Sequence, residues 1–320
     1  VLDGLRQFLD GHVEVVYAEG CRITQDGGGR QSWWRDAVQL PDPAEEATRI
    51  AEATALAKTA DVAILVLGEN EAMCREGWSR EHLGDRDSLD LPGNQEALLQ
   101  AVAATGTPVV LLLINGRPLS ITWAAEHIPA IVACWYVGQG GGTAVADMLF
   151  GTINPGGKLA ITFPRSVGQL PAFYNHKPSA RRGYLFNSNR PLFPFGQGLS
   201  YTIFAYSDLH IEPAVPGPNE SVTVRITVTN TGQRAGDEVV QLYLRDCVSS
   251  LTRPVQELKG FQRLSLQPGE SQMVTFTLEP AALAFLDETM AWVVEPGKFD
   301  LLVGGSSVAG VNGRFTVQAS

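Results

Sequence analysis

The hydrophobic period of this chain changes partway along, and that change constrains its fold more than any other feature. In the first half, three near-continuous apolar runs, residues 61–67 (DVAILVL), 108–114 (PVVLLLI) and 130–136 (AIVACWY), alternate with segments of helical spacing. Runs without polar alternation suit strands buried on both faces of a parallel sheet. The β-branched run 12–17 (HVEVVY) predicts one more strand. Asp42, Pro43 and Glu45 combine an N-cap, a proline at the first helical position and a capping-box acid, and predict a helix to about residue 60. Further helices are predicted over residues 94–104 and 143–150, and Val1 to Leu5 reads as helical. Strand and helix in alternation give an α/β fold: a mostly parallel sheet with right-handed crossovers and helices on both faces, an α/β sandwich.

The last third has period two. Residues 221–229 (SVTVRITVT) alternate Val222, Val224, Ile226 and Val228 with polar partners, as a strand with one buried face does. Strands are also predicted over 238–245, 272–278, 292–294 and 299–303, punctuated by turn signals at 230–232, 268–270 and 296–297. About seven short strands in roughly 100 residues, with no helical period, is the pattern of an all-β sandwich of the immunoglobulin or fibronectin type III kind. Between the halves, residues 163–201 are rich in Pro, Gly, Asn and Arg. Their aromatics (Phe173, Tyr174, Tyr184, Phe186, Phe193, Phe195, Tyr201) are too many for a free linker, so we read an ordered connecting loop draped over the surface.

Charge and cysteine usage narrow the function classes. The 34 acidic against 24 basic side chains give a net charge of −10, which phosphate backbones would repel. Nucleic acid is therefore not an expected partner, and a neutral or cationic small substrate fits better. The longest apolar runs, 62–67 and 109–114, fall far short of the roughly 20 residues of a bilayer span. Cys21, Cys74, Cys134 and Cys247 lack CxxC spacing, and His12, His82, His127, His176 and His210 lie far apart, so no metal site and no cofactor is expected. Free thiols are expected, with one disulfide left open. Nothing at Val1 has the pattern of an export leader.

In an open α/β sheet, ligands bind outside the carboxyl ends of the strands. The segment after the first apolar run, residues 68–92, is longer than a plain strand-to-helix connection needs and holds seven carboxylates, three arginines, His82 and Trp78. A solvated charged loop is the bland alternative. Trp78 beside Glu76 favours a site: an aromatic can stack on a sugar ring and desolvate the acid, raising its pKa toward the range of a general acid. A second candidate is the glycine-rich turn 138–143 (GQGGGT), which stands where a phosphate-cradling turn would. It lacks the Lys-Ser/Thr pair of a P-loop and the strict GxGxxG spacing, so tight packing is the preferred use of its glycines. Trp33 and Trp34 fit either a substrate rim or a packed aromatic pair.

Several stretches carry a family likeness: GENEAMCREGWSREHLGDRDSLDLPGNQEALLQAV (68–102), LLLINGRPLSI (111–121), YVGQGGGTAVADMLFGTINPGGKLAITFPRSVGQLP (136–171), RRGYLF (181–186) with PLFPFGQGLSYT (191–202), and NTGQRAGDEVVQLYLRD (230–246) with RPVQELKGF (253–261). Through nearly its whole length the chain resembles the carboxyl-terminal part of glycoside hydrolase family 3, the β-glucosidase family. The resemblance implies an α/β sandwich domain over 1–163 with its first strand missing, a connecting loop over 164–204, and a fibronectin type III-like β-sandwich over 205–320. It also implies a retaining, exo-acting β-glycosidase, most simply a β-glucosidase acting on a β-linked oligosaccharide or glucoside. The general acid/base falls on Glu76 by position, with Glu81 and Glu71 as alternates, and Arg75 and Trp78 as substrate-binding residues. The nucleophilic Asp would come from an N-terminal barrel domain of the same enzyme, no segment of which reads here. We therefore expect the chain to be one piece of a larger polypeptide, and inactive alone. A non-catalytic carbohydrate-binding or assembly module, and β-xylosidase or β-N-acetylglucosaminidase specificity, stay open as alternatives. So do a homodimer and the compartment: periplasmic or secreted by resemblance, with the cytoplasm left open.

Overall fold

A computed structural model describes residues 1–25, 39–70, 73–74, 85–180 and 183–319. They form two compact units: Val1–Phe150 with Phe163–Leu170, and Gly151–Thr162 with Pro171–Ser320.

The first unit runs α1 (Leu2–Leu9), α2 (Pro43–Ala57), β1 (Ala63–Gly68), α3 (Gln95–Ala103), β2 (Val109–Ile114), α4 (Thr122–His127), β3 (Ala130–Ala133) and α5 (Gly141–Leu149). The strands form a parallel sheet in the order β1-β2-β3, in register from Ala63 opposite Val109 and from Val110 opposite Ala130. On one face Ile64, Val110, Leu112 and Val132 pack with Val145 and Met148 of α5. The side chains of alternate parity, Leu65, Leu67, Leu111 and Leu113, are buried as well, which is why these strands carry no polar alternation. Helix α2 starts as its sequence dictates, with the Asp42 carboxylate accepting from the Ala44 amide at 2.7 Å. Helices α1 and α5 approach so closely that a Cβ at Gly4 would overlap the Gly142 carbonyl.

Two expectations for this unit change. Residues 12–17 hold no strand, and Val13, Val16 and Tyr17 are exposed. β-propensity reports fit to a neighbouring strand, and no described strand lies alongside this one to bond it. The third apolar run is a strand only over Ala130–Ala133, because Trp135 takes a left-handed φ of 56° that turns the chain out of the sheet.

The second unit is an antiparallel sandwich. Strands β4 (Phe204–Glu212), β5 (Val222–Asn230) and β8 (Ser271–Leu278) make one sheet in the order β4-β5-β8. Strands β6 (Gly236–Asp246), β7 (Glu257–Leu266), β11 (Gly297–Ser306) and β12 (Ala309–Val317) make the other, in the order β12-β11-β6-β7. A short helix α6 (Pro280–Leu283) and the two-residue strands β9 (Phe285–Leu286) and β10 (Trp292–Val293) complete it. The core is built from the alternating set of β5, whose Val222, Val224, Ile226 and Val228 are fully buried, with Leu242, Leu264, Val274, Leu301 and Val303. Phe299 and Phe315, directly opposite in β11 and β12, stack at 5.2 Å. The turn between β7 and β8 uses Gly269 at φ 77°, a conformation that glycine adopts without strain.

The connecting segment is tied to this sandwich by aromatic packing. Tyr174 stacks on Phe195 at 4.2 Å, and both rings meet the buried Tyr243 of β6 edge-on. Lys158 reaches Glu238 of β6 at 3.1 Å and the Gly198 carbonyl at 3.0 Å. Phe173 and Phe186, by contrast, are exposed.

Candidate active site at the carboxyl ends of the parallel strands

The connections that leave β1, β2 and β3 at their carboxyl ends bring together a compact polar cluster. It begins with Gly68, the last residue of β1, whose φ of 141° belongs to glycine and whose Cα lies so close to the Ile114 carbonyl that no Cβ would fit. Gln95, the first residue of α3 and fully buried, fixes that turn from both sides. Its Oε1 accepts from the Gly68 amide at 2.7 Å, and its Nε2 donates to the Gly68 carbonyl at 2.7 Å and the Pro92 carbonyl at 3.0 Å.

Glu69 follows, with its carboxylate withdrawn from solvent. A buried carboxylate persists only where cations and donors replace its water. Arg86 Nη2 donates to Glu69 Oε2 at 2.7 Å, and Arg117 Nε lies 3.5 Å from Oε1. Arg117, from the connection between β2 and α4, also donates Nη1 to Asp85 Oδ2 at 2.7 Å and Nη2 to the Met73 carbonyl at 3.4 Å. Two arginines and two carboxylates thus form a neutral set. The Arg117 guanidinium holds the Asp85 carboxyl below the usual range for an aspartate. Asn115, fully buried at the end of β2, donates from Nδ2 to the Arg117 carbonyl at 2.5 Å and so fixes that backbone. On the β3 side, Tyr136 OH sits 3.0 Å from Cys74 Sγ, and burial, aided by the neighbouring Glu69, pushes that thiol's pKa up.

The acidic segment is therefore held at both ends. At its entry Met73 is buried, and its amide bonds Asn70. At its exit Leu89 and Leu91 are buried, Arg86 Nη1 bonds the Asp90 carbonyl at 2.9 Å, and the Ser120 amide bonds the Leu89 carbonyl at 2.8 Å. Glu71, Arg75, Glu76, Trp78, Glu81 and His82 lie outside the described residues, as do Trp33 and Trp34. Arg117 escaped the reading of the sequence. It belongs to a different connection from the acidic segment, and the one signal for it was its position just past the carboxyl end of an apolar run, at the edge where such sheets bind ligands.

The glycine-rich turn has a packing role. Gly140 is the N-cap residue of α5, a Cβ at Gly141 would strike the Val137 side chain, and Gly142 faces Gly4 of α1. Its small residues serve a helix-to-helix approach more than strand-to-helix packing. All four cysteines are free thiols, and burial pushes the pKa of Cys21 up to about 12, so it stays protonated. Among the described residues no group of three His, Cys, Asp or Glu side chains could hold a metal ion, and no helix is long and apolar enough to cross a membrane.

Comparison with known proteins agrees with this architecture. Residues 1–201 match the glycosyl hydrolase family 3 C-terminal domain, and residues 238–307 match the fibronectin type III-like domain. The chain is 44% identical to a β-xylosidase of Formosa agariphila, over 97% of this chain and 40% of that protein. It is 40% identical to a periplasmic β-glucosidase of Salmonella typhimurium, over 98% of this chain and 42% of that protein. Among solved structures, a β-glucosidase from Erythrobacter marinus superposes with a TM-score of 0.93 at 42% identity, covering 99% of this chain and 43% of that one. A Listeria innocua β-glucosidase in complex with glucose gives 0.77 at 36% identity, covering 85% of this chain and 38% of that one. The chain spans about two-fifths of the length of these relatives. With a parallel α/β unit followed by an antiparallel sandwich, and with these matches, the chain belongs to glycosyl hydrolase family 3, of which it carries the C-terminal domain and a fibronectin type III-like domain.

Proposed function

We propose that this chain is part of a retaining, exo-acting β-glucosidase, and that it supplies the general acid/base while a barrel domain of the longer polypeptide supplies the nucleophilic Asp. The observation that carries the reading is the seven-carboxylate segment leaving the carboxyl end of β1, with its two ends held by the Glu69, Arg86 and Arg117 cluster. Retention requires two carboxyl groups about 5–5.5 Å apart. One attacks the anomeric carbon to form a glycosyl-enzyme while the other protonates the departing oxygen. The second then takes a proton from water as that water releases the sugar. We assign the second role to Glu76, with Glu81 and Glu71 as alternates, and substrate contact to Trp78 and Arg75. A carboxyl group beside an aromatic ring keeps its proton to higher pH, which suits an acid.

In the full-length enzyme, Glu76→Ala should lower kcat/KM on alkyl glucosides and cellobiose about 10²–10⁴-fold. It should spare activated aryl glucosides in the first step and gain turnover on adding azide. Glu81→Ala and Glu71→Ala serve as the comparison. If one of them shows this pattern instead, the role moves to that residue. If none does, the chain is not the source of the acid/base.

A second reading concerns the sugar: the 44% identical relative is a β-xylosidase. The ratio of kcat/KM on aryl β-glucoside and β-xyloside, measured on the same protein, decides between them.

A further inference from the structure

We propose that Arg117 is a positioning residue that clasps the two ends of the acidic segment and thereby sets the pose of the carboxylate it carries; this rests on the acid/base reading above. The observation is a convergence on one guanidinium from three points of the segment. Glu69 opens it, Met73 offers a carbonyl near its entry, and Asp85 closes it, and each faces a different nitrogen of Arg117. The arginine comes from outside the segment, and its own backbone is fixed through the buried Asn115. It therefore ties entry and exit to the rigid end of β2. Arg86 adds a direct exit-to-entry bond to Glu69, but it is itself part of the exit.

Burial distinguishes a clasp from a simple contribution to stability. The Asp85 side chain is 41% exposed, so its pairing with Arg117 contributes little to global folding. What the pair does fix is geometry. Without it, the exit keeps the Arg86 bond to Glu69 but loses the tie of Asp85 to the end of β2, and a misplacement of about 1 Å at a reacting group can cost on the order of 10²-fold in rate. Lysine could not replace the arginine, because one ammonium cannot reach three acceptors lying in three directions from a planar fork.

The test uses the full-length enzyme with Asp85→Asn, Arg117→Lys and Arg117→Met, assayed on a dinitrophenyl glucoside and on an alkyl glucoside across pH. We expect kcat/KM on the alkyl glucoside to fall about 10–100-fold, as when an outer-shell partner is removed. On the dinitrophenyl glucoside, whose departure needs no proton, it should fall less than about 3-fold. The basic limb of the pH profile should move only in the alkyl reaction. Arg117→Met also withdraws a partner from buried Glu69, so Asp85→Asn, which leaves Glu69 paired, carries the test if the methionine variant fails to fold. Equal losses on both substrates, or none in any variant, would overturn the clasp. The glutamate panel separates the two failures. A leaving-group effect in one glutamate variant, with none in the Asp85 and Arg117 variants, overturns the clasp alone. No such effect in any glutamate variant overturns both readings.

Discussion

Glu69 and Glu46 are both carboxylates removed from solvent, and the chain keeps each in place by surrounding it with donors. Glu46 takes Arg49 Nη1 at 2.6 Å and the Arg22 amide at 2.8 Å. Glu69 takes Arg86 and Arg117. Such pairs need not raise stability over an apolar replacement, but removing one partner leaves a buried charge uncompensated, at a cost of about 3–5 kcal/mol. Arg86→Met should therefore lower the stability of the first unit by about that much. The charge-neutral double variant Arg86→Met, Glu69→Gln should recover a substantial part of it. Chemical denaturation of the two variants and the parent measures this, and an unchanged midpoint for Arg86→Met would show that Glu69 is satisfied without it.

At the scale of elements, the close crossing of α1 and α5 sets two principles against each other. Alanine exceeds glycine in helix propensity by about 1 kcal/mol, which favours Gly4→Ala. A Cβ at that position meets the Gly142 backbone, which has no flexible end to move aside, and overpacking of this kind costs about 1–3 kcal/mol. The clash should win, so Gly4→Ala lowers the thermal midpoint; a raised midpoint would mean that the helices separate freely. Elements also show where sequence patterns mislead. Strand β5, with one face buried at 0% exposure, was legible from its alternation. Strands β4, β7 and β12 had no comparable signal, since each pairs with its neighbour through a register shift that breaks its alternation: at Ser207/His210 in β4, opposite Leu242/Tyr243 of β6 in β7, and opposite Val303/Ser306 of β11 in β12. Residues 12–17 show the converse, a strand-like pattern with no strand.

At the scale of the whole molecule, the retaining reaction proposed above needs two carboxylates in facing positions, one of them assigned to a barrel domain. On that proposal, the 320-residue chain on its own should fold yet fail to hydrolyse aryl β-glucosides, and a full-length protein that includes the barrel should hydrolyse them. Comparing initial rates of the two at equal concentration tests this, and turnover by the isolated chain would mean that it contains a complete carboxylate pair. By itself the sequence determined the two-part architecture, the start of α2 and the buried strands β1 and β2, and it marked the acidic segment as a candidate place for chemistry. All of these rest on local physics: side-chain period, capping and chain length between elements. The tertiary structure alone decided which side chains of that region act together. Arg117 lies 32 residues beyond Asp85 and 44 beyond Met73. They meet because β1 and β2 pair in parallel with Gly68 opposite Ile114, so the connections that follow both strands emerge at one edge. Such an encounter depends on register and crossover, which no pattern within a single segment encodes.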